Sequence, residues 1–312
     1  MHPELAAPLE LVDAIPIAEW ADTSRLRKSQ RETRRRLTEA GYIPAPAADV
    51  ESIPVAIQAA GGLEIPVVTY QAKKHSPNAG TFLHIHGGAF VLGDMYEERL
   101  LCEELARAGF LVVSVDYRLA PEHPFPAALD DIYGVLNELP RIAGKAGVQK
   151  SKIVVGGLSA GGSLAAALCL RARDAGGPPI ALQVLNQPCL DDRIPASWDP
   201  GAVPDSEREG RAWMWGSYLG GAEPTYLSTP GRSSNFSRLP SALIIVAELD
   251  SLLTEALEYG ENLRRAGVHI ESEVIQGAYH GFDVTAPLAA PSVRLRHLIV
   301  SQSLNASDEG DD

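Results

Sequence analysis

A serine held between glycines is the first group in this chain that could do covalent chemistry. The segment Gly157-Leu158-Ser159-Ala160-Gly161-Gly162 follows the apolar run Ile153-Val154-Val155 and leads into a stretch rich in Ala and Leu. A sharp strand-to-helix turn of this kind leaves the hydroxyl at its tip with a helix N-terminus behind it, and flanking glycines let strand and helix approach without clashes. The pattern alone is weak. A capping serine in a Gly-rich turn would share it, and so would a phosphate-cradling loop, which the absence of a following Gly-Lys-Ser/Thr disfavours. A serine hydroxyl needs a general base near neutral pH, and imidazole has the right pKa; the imidazole in turn needs a carboxylate to fix its tautomer and hold its charged form. Among eight histidines, His280 lies in a loop between Gly277 and Phe282, after the last candidate strand. His297 falls within a terminal helical pattern, His269 begins a strand, and His2, His75 and His123 lie in tail or loop contexts. Asp250 follows the apolar run 241–247 and is the candidate orienter. Helix N-capping is its competing reading. Glu248 is the alternative acid, disfavoured because alternation along a strand points it the other way.

Such a nucleophile also needs donors aimed at the oxygen of a tetrahedral intermediate. His86-Gly87-Gly88-Ala89-Phe90 follows another candidate strand, and its consecutive glycines expose backbone N–H groups. The expected donors are the N–H groups of Gly88, Ala89 and Ala160, with Gly87 supplying the turn and standing as a lesser donor. His84 and His86 share one face of a strand, which raises a metal reading. Zinc hydrolases with that spacing need further ligands close by, and Gly-Gly-Ala follows instead. The structural reading, in which His86 hydrogen-bonds and shapes the loop, is preferred, and neither a metal nor a cofactor is expected.

The elements that must position these groups alternate. Candidate strands fall at 53–59, 64–71, 81–86, 110–116, 152–156, 181–187, 241–247 and 270–275, with helical patterns near 95–108, 126–140, 160–174, 252–266 and 290–304. Several strands are continuous apolar runs, as suits strands buried on both faces, and the alternation predicts a mostly parallel α/β sheet covered on both sides. Gly61-Gly62 between the first two strands predicts an antiparallel hairpin. Two segments break the alternation. Residues 1–45 read as polar helix with Arg25, Arg27, Arg31, Arg34, Arg35 and Arg36 clustered, for which a solvated helix face is the plain expectation. Residues 190–238 are rich in Pro and Gly and hold Trp198, Trp213 and Trp215. Ligands bind outside the carboxyl ends of the strands in such sheets, so either segment could cover that edge.

Composition bounds the rest. The 312 residues are 45% hydrophobic and carry a formal net charge of −13, so a large core can form and the basic footprint of a nucleic-acid binder is missing. No apolar run approaches the ~20 residues that span a bilayer. Cys102, Cys169 and Cys189 are too few for a disulfide framework and read as reduced thiols. With an N-terminus lacking a signal-peptide pattern, a cytoplasmic protein is expected. Asn235 and Asn305 match the glycosylation pattern, idle in such a compartment, and the tail from Asp308 to Asp312 reads as disordered.

Four stretches together resemble the hormone-sensitive-lipase-like branch of the α/β-hydrolases, the bacterial family IV esterases. They are His86 to Phe90; DYRLAPEHPFPAALD from Asp116 to Asp130; Gly157 to Gly162; and Ala-Glu-Leu-Asp250 with His280-Gly-Phe. The chain order Ser159, Asp250, His280 is also that of the family. The resemblance covers about residues 60 to 300 and implies an eight-stranded α/β-hydrolase sheet with a helical cap. The expected division is an N-terminal cap segment at 1–50, a catalytic core at 51–190 and 239–312, and a cap insertion at 191–238. Three positions depart from the family pattern: Ala89 where it usually has Gly, Leu158 where it is usually polar, and Leu253-Thr254-Glu255 after the acid. The function implied is a serine carboxylesterase acting on short- to medium-chain esters through an acyl-enzyme, with Phe90, Leu158 and Trp213 as candidate substrate contacts. Packing within the cap is the competing reading of Trp213 and Trp215. An amidase, lactonase or carbamate hydrolase would use the same triad, and a non-catalytic receptor on this fold is the reading from another class. A small-molecule ester is the expected partner. A homodimer is suggested by the resemblance and by a last strand that would be an edge.

Overall fold

The computed structural model describes residues 1–13, 15–74, 78–148, 152–193 and 205–306. Eight strands form one sheet in the order β1-β2-β4-β3-β5-β6-β7-β8. They are β1 Val50–Gln58, β2 Glu64–Ala72, β3 Gly80–Ile85, β4 Phe110–Val115, β5 Ile153–Leu158, β6 Leu182–Asn186, β7 Ser241–Ala247 and β8 Ile270–Ile275. β1 and β2 make the antiparallel hairpin that the two glycines predict, and β2 also runs antiparallel to β4. Every other pairing is parallel.

The continuous apolar strands are buried on both faces because helices cover both. Along β3, Leu83 and Ile85 pack into a core with α4 (Ala127–Lys145), α5 (Ala160–Ala175) and α7 (Leu253–Arg265). Phe82 points the opposite way, into a second core with α3 (Arg99–Arg107) and α9 (Ala290–Asn305). The period of two along the strand thus feeds two cores. α4 runs past Pro140, where the sequence pattern suggested a stop, because Leu136, Leu139 and Ala143 continue one buried stripe. The three cysteines are free and buried.

The N-terminal segment forms α1 (Pro3–Leu9) and α2 (Thr23–Glu39), and the second irregular segment contributes α6 (Asp205–Leu219). The short α8 (Phe282–Thr285) follows the His280 loop. Trp198, residues 308–312 and His75 lie outside the described residues. The arginines of α2 are not simply a solvated face. Arg27 donates to the carbonyls of Val91 (2.9 Å) and Ala120 (3.1 Å) and pairs with Glu122, while Arg34 pairs with Glu97 and donates to the Tyr96 carbonyl. Gln30, between them, accepts the Gly93 N–H at 3.0 Å. Spacings of three and four residues put these groups on one helix face, where they grip the segment that follows His86-Gly87-Gly88.

Candidate active site

β5 lies near the middle of the sheet and ends at Leu158, so the turn that follows stands over the carboxyl edge of the parallel strands. Ser159 adopts φ 55° and ψ −117°, and its N–H donates to the Asn186 carbonyl at 2.8 Å. The glycines on either side are steric requirements. A Cβ on Gly157 would stand 2.3 Å from the Ile85 carbonyl oxygen, and one on Gly161 would stand 2.1 Å from the same oxygen and 2.6 Å from that of His86. Strand β3 and the start of α5 can therefore approach only where side chains are absent, which is the physical content of the motif.

His280 connects the two other groups. Its Nε2 lies 2.9 Å from Ser159 Oγ and its Nδ1 lies 2.6 Å from Asp250 Oδ2. The carboxylate accepts, so Nδ1 carries a proton and Nε2 is free to take the serine's. Asp250 is buried, and its other oxygen accepts the Leu252 N–H at 2.9 Å. Desolvation pushes the imidazole down, but the charge and hydrogen bond of Asp250, with Asp283 and Glu255 behind it, push harder, and its pKa ends above the ordinary value. The histidine side chain remains 40% exposed, so the serine side of the ring is reachable. Glu248 faces elsewhere, its carboxylate accepting the Gly277 N–H at 2.7 Å.

The glycine loop after β3 turns back beside Ser159. Gly88 has φ 115°, and Ala89 and Phe90 follow at φ 55° and 63°, a left-handed run that carries side chains at two of three positions. Ala89 therefore adopts the glycine-like conformation without being glycine. Among the described residues, no carbonyl or side chain takes the N–H of Gly88, Ala89 or Ala160. Gly87 differs from the sequence expectation: its N–H donates to Glu98 Oε1 at 3.3 Å, so this amide is already committed to holding the loop. Glu98 also meets the buried His84, whose Nε2 lies 2.5 Å from Oε2 and whose Nδ1 lies 2.9 Å from Ser114 Oγ. Both nitrogens of His84 have local partners. His86 donates from Nδ1 to the Gly87 carbonyl (2.7 Å) and stacks on Tyr117, as expected of a loop-shaping residue, and burial pushes its pKa down to about 4.

The candidate substrate contacts fall otherwise. Phe90 is 1% exposed and stacks on Tyr218 of α6 with centroids 3.9 Å apart. It ties the glycine loop to α6 rather than facing the cleft, because the left-handed turn swings its ring into the core. Leu158 is buried beneath the same loop, its carbonyl oxygen 3.0 Å from where a Cβ on Gly87 would be. Trp213 is half-buried edge-on against Trp20, as cap packing would have it, and Trp215 is buried.

The serine, the base and the acid meet on a central nucleophile turn, in a parallel sheet with an antiparallel hairpin at one edge. A family model described as alpha/beta hydrolase fold matches residues 82–284. The chain belongs to the α/β-hydrolase family. Within it, the motifs and relatives place this hydrolase in the hormone-sensitive-lipase-like, family IV lineage. Its sequence is 31% identical to carboxylesterase NlhH of Mycobacterium tuberculosis over 95% of each chain. It is 39% identical to esterase LipI of the same organism over 65% of this chain and 66% of that one. In structure it is similar to a bacterial heroin esterase, with a TM-score of 0.86, 29% identity and 99% and 98% of the two chains covered. The hydrolase is a serine enzyme whose triad is Ser159, His280 and Asp250.

The long stretch from Asp116 to Asp130 now has a physical account. Tyr117 donates its hydroxyl to the His86 carbonyl at 2.9 Å, and Arg118 forks onto Asp131, one residue beyond the motif, at 2.7–3.1 Å. The Ala120 N–H donates to the Phe90 carbonyl at 2.9 Å. The motif buttresses the glycine loop from behind.

Sequence reasoning missed several supports of the hydrolase site. Glu98 gave no signal beyond being one of two adjacent glutamates. The N-terminal residues hold the His280 loop: the His2 N–H donates to the Gly277 carbonyl (2.8 Å), and the Tyr279 hydroxyl donates to the Leu5 carbonyl (3.2 Å). Asn186, Gln187 and Asp283 form a network under that loop. α6 is fastened by buried Arg211, paired with Glu255 of α7, and Glu255 also accepts the Leu190 N–H at 2.7 Å.

Proposed function

We propose that this hydrolase is a carboxylesterase for short- to medium-chain acyl esters, with an oxyanion hole made by the N–H groups of Gly88, Ala89 and Ala160. The observation that carries the reading is His280 standing in line between Ser159 Oγ and Asp250, at 2.9 and 2.6 Å. Ser159 Oγ attacks the ester carbonyl carbon while its proton passes to His280 Nε2. The carbonyl oxygen takes the negative charge and receives the three amides, with the N-terminus of α5 beneath it. As the tetrahedral intermediate collapses, the C–O bond to the alcohol breaks and the imidazolium returns its proton to the leaving oxygen. Water then gives up a proton to His280 as it attacks the acyl-enzyme; the bond from the acyl carbon to Ser159 Oγ breaks, the imidazolium returns the proton to Oγ, and the carboxylic acid leaves.

Three amides without partners among the described residues, two on the glycine loop and one at the start of α5, support the oxyanion assignment, and the esterase names of the relatives support the ester. Residues 1–50 and 191–238 act as the cap, which α6 and the grip of α2 support, and a cap over that edge favours small acyl groups. β8 is a sheet edge, so a homodimer built across it belongs to the same reading, as does a cytoplasmic location. No helix among the described residues is long and apolar enough to cross a membrane.

The test is steady-state hydrolysis of p-nitrophenyl esters from acetate to palmitate by the wild type and Ser159→Ala. Turnover that peaks at short to medium chains, and a loss of at least about 10³-fold in kcat in the variant, are expected. Equal inactivity of both folded proteins on all esters, with turnover of amides or lactones by the wild type, would move the assignment to those substrates.

A further inference from the structure

The end of β6 touches both halves of the proton-transfer pair. The Asn186 carbonyl holds the Ser159 N–H, and the N–H of Gly281, the residue after His280, donates to Gln187 Oε1 at 2.7 Å. A backbone N–H can only donate, so this contact fixes which end of the Gln187 amide is oxygen. The Gln187 amide nitrogen then donates to Asn186 Oδ1 (3.1 Å) and to Asp283 Oδ1 (3.0 Å). With its oxygen thus accepting, Asn186 donates from Nδ2 to Asp283 Oδ2 at 2.8 Å. Both Asp283 oxygens face amide donors, an arrangement that suits an ionised carboxylate, because a carboxylic O–H would confront one of the NH₂ groups. Asn186 and Gln187 are buried, and Gln187 holds φ 48°, a left-handed conformation that side-chain-bearing residues adopt at a cost.

We propose that Asp283 is a positioning residue for His280: through Gln187 and Asn186 it clamps the loop that carries the imidazole, and its charge stands behind the imidazolium formed in each half-reaction. This rests on the Ser159–His280–Asp250 triad. His280 is also hydrogen-bonded to Asp250 and feels the charge of the more distant Glu255. Asp283 is flanked by Tyr279 and lines a small cavity with Glu97, Glu98 and Arg296. Burial raises the Asp283 carboxyl above its ordinary value, Glu98 adds to this, and the two amide donors oppose it.

The experiment is the pH dependence of Ser159 labelling by a fluorophosphonate. That reaction needs the triad but no particular ester, so it stays informative if the substrate assignment fails. Asp283→Asn is isosteric, removes the charge and sets an NH₂ against one of the amide donors. It is expected to slow labelling about tenfold and to move the acid limb to lower pH by about half a unit. An acid limb that stays put overturns the proposal whatever the rate, because a merely loosened loop slows the reaction alike at every pH. Should Asp283→Asn fail to fold, Gln187→Met carries the test. It breaks the clamp and keeps the charge, so labelling about tenfold slower with an unmoved limb is expected, and a wild-type rate overturns the proposal.

Discussion

The pair beneath the glycine loop offers a quantitative test of what holds that loop. Glu98 meets His84 at 2.5 Å and takes the Gly87 N–H with its other oxygen. Burial opposes a charged His84, but the neighbouring Cys102 sulfur and the Glu98 carboxylate overcome it and push the imidazole from its ordinary 6.5 to about 10. A folded-state pKa raised above the unfolded value stabilises fully below the unfolded value, and that contribution is lost as pH rises through the folded one. At about 1.4 kcal/mol per pH unit, a rise of this size corresponds to about 5 kcal/mol of stability present near pH 6 and gone above about pH 10. Glu98→Gln keeps the shape but removes the charge and faces one of its two donors with another donor. The Glu98 share of the raised His84 pKa then disappears while the Cys102 share stays, so part of the pH-dependent stability is lost, about 2 kcal/mol near pH 6. Urea unfolding of the wild type and Glu98→Gln at pH 6, 8 and 9.5 reads this directly, since other titrating groups cancel in the difference. The gap is expected to narrow steadily as pH rises. A gap that is constant with pH would refute a charged pair and leave Glu98 acting through neutral hydrogen bonds alone.

The acid assignment is tested by two variants: Asp250→Asn is expected to lower kcat about 10⁴-fold, while Glu248→Gln stays within about threefold of the wild type in p-nitrophenyl acetate assays. Equal losses would contradict the separation seen between the two carboxylates. Because the His280 pKa is raised and the reaction needs the neutral ring, kcat/KM of the wild type should fall off on an acid limb above the ordinary imidazole value. Ala89→Gly removes a Cβ from a residue at φ 55°, so the thermal midpoint should hold or rise, with a gain of up to about 1 kcal/mol. A drop of similar size would mean that the methyl group packs where the loop needs it.

The triad was legible because each member sits in a local pattern tied to a strand's end. A run such as Ile153-Val154-Val155 announces a buried strand, and the glycines after it announce a turn with no room for side chains. Phe90 was misread for a related reason: its neighbours in sequence point at the cleft, but a left-handed turn reverses its ring, and one-dimensional spacing does not encode that reversal. The α2 arginines look alike on a helical wheel, and only the position of the carbonyls at Val91, Ala120 and Tyr96 separates Arg27 and Arg34 from the truly solvated ones. The Asn186–Gln187–Asp283 network was not legible at all, since Asp283 lies almost a hundred residues from the other two and polar residues after a strand have many uses.

The hold of the first residues on the His280 loop bears on how the active site comes into being during synthesis. His2 and Leu5 bind Gly277 and Tyr279, and Glu4 accepts the Ala290 N–H at 2.7 Å, so the opening residues of the chain wait for partners made some 270 residues later. At about 5–20 residues per second, the serine turn can leave the ribosome many seconds before the base loop has its final support. Contacts of such long sequence separation also form slowly, since the intervening chain must first be closed into a loop. A nascent chain would thus carry a formed nucleophile turn without a competent base, and hydrolytic activity would arrive as one of the last events of maturation.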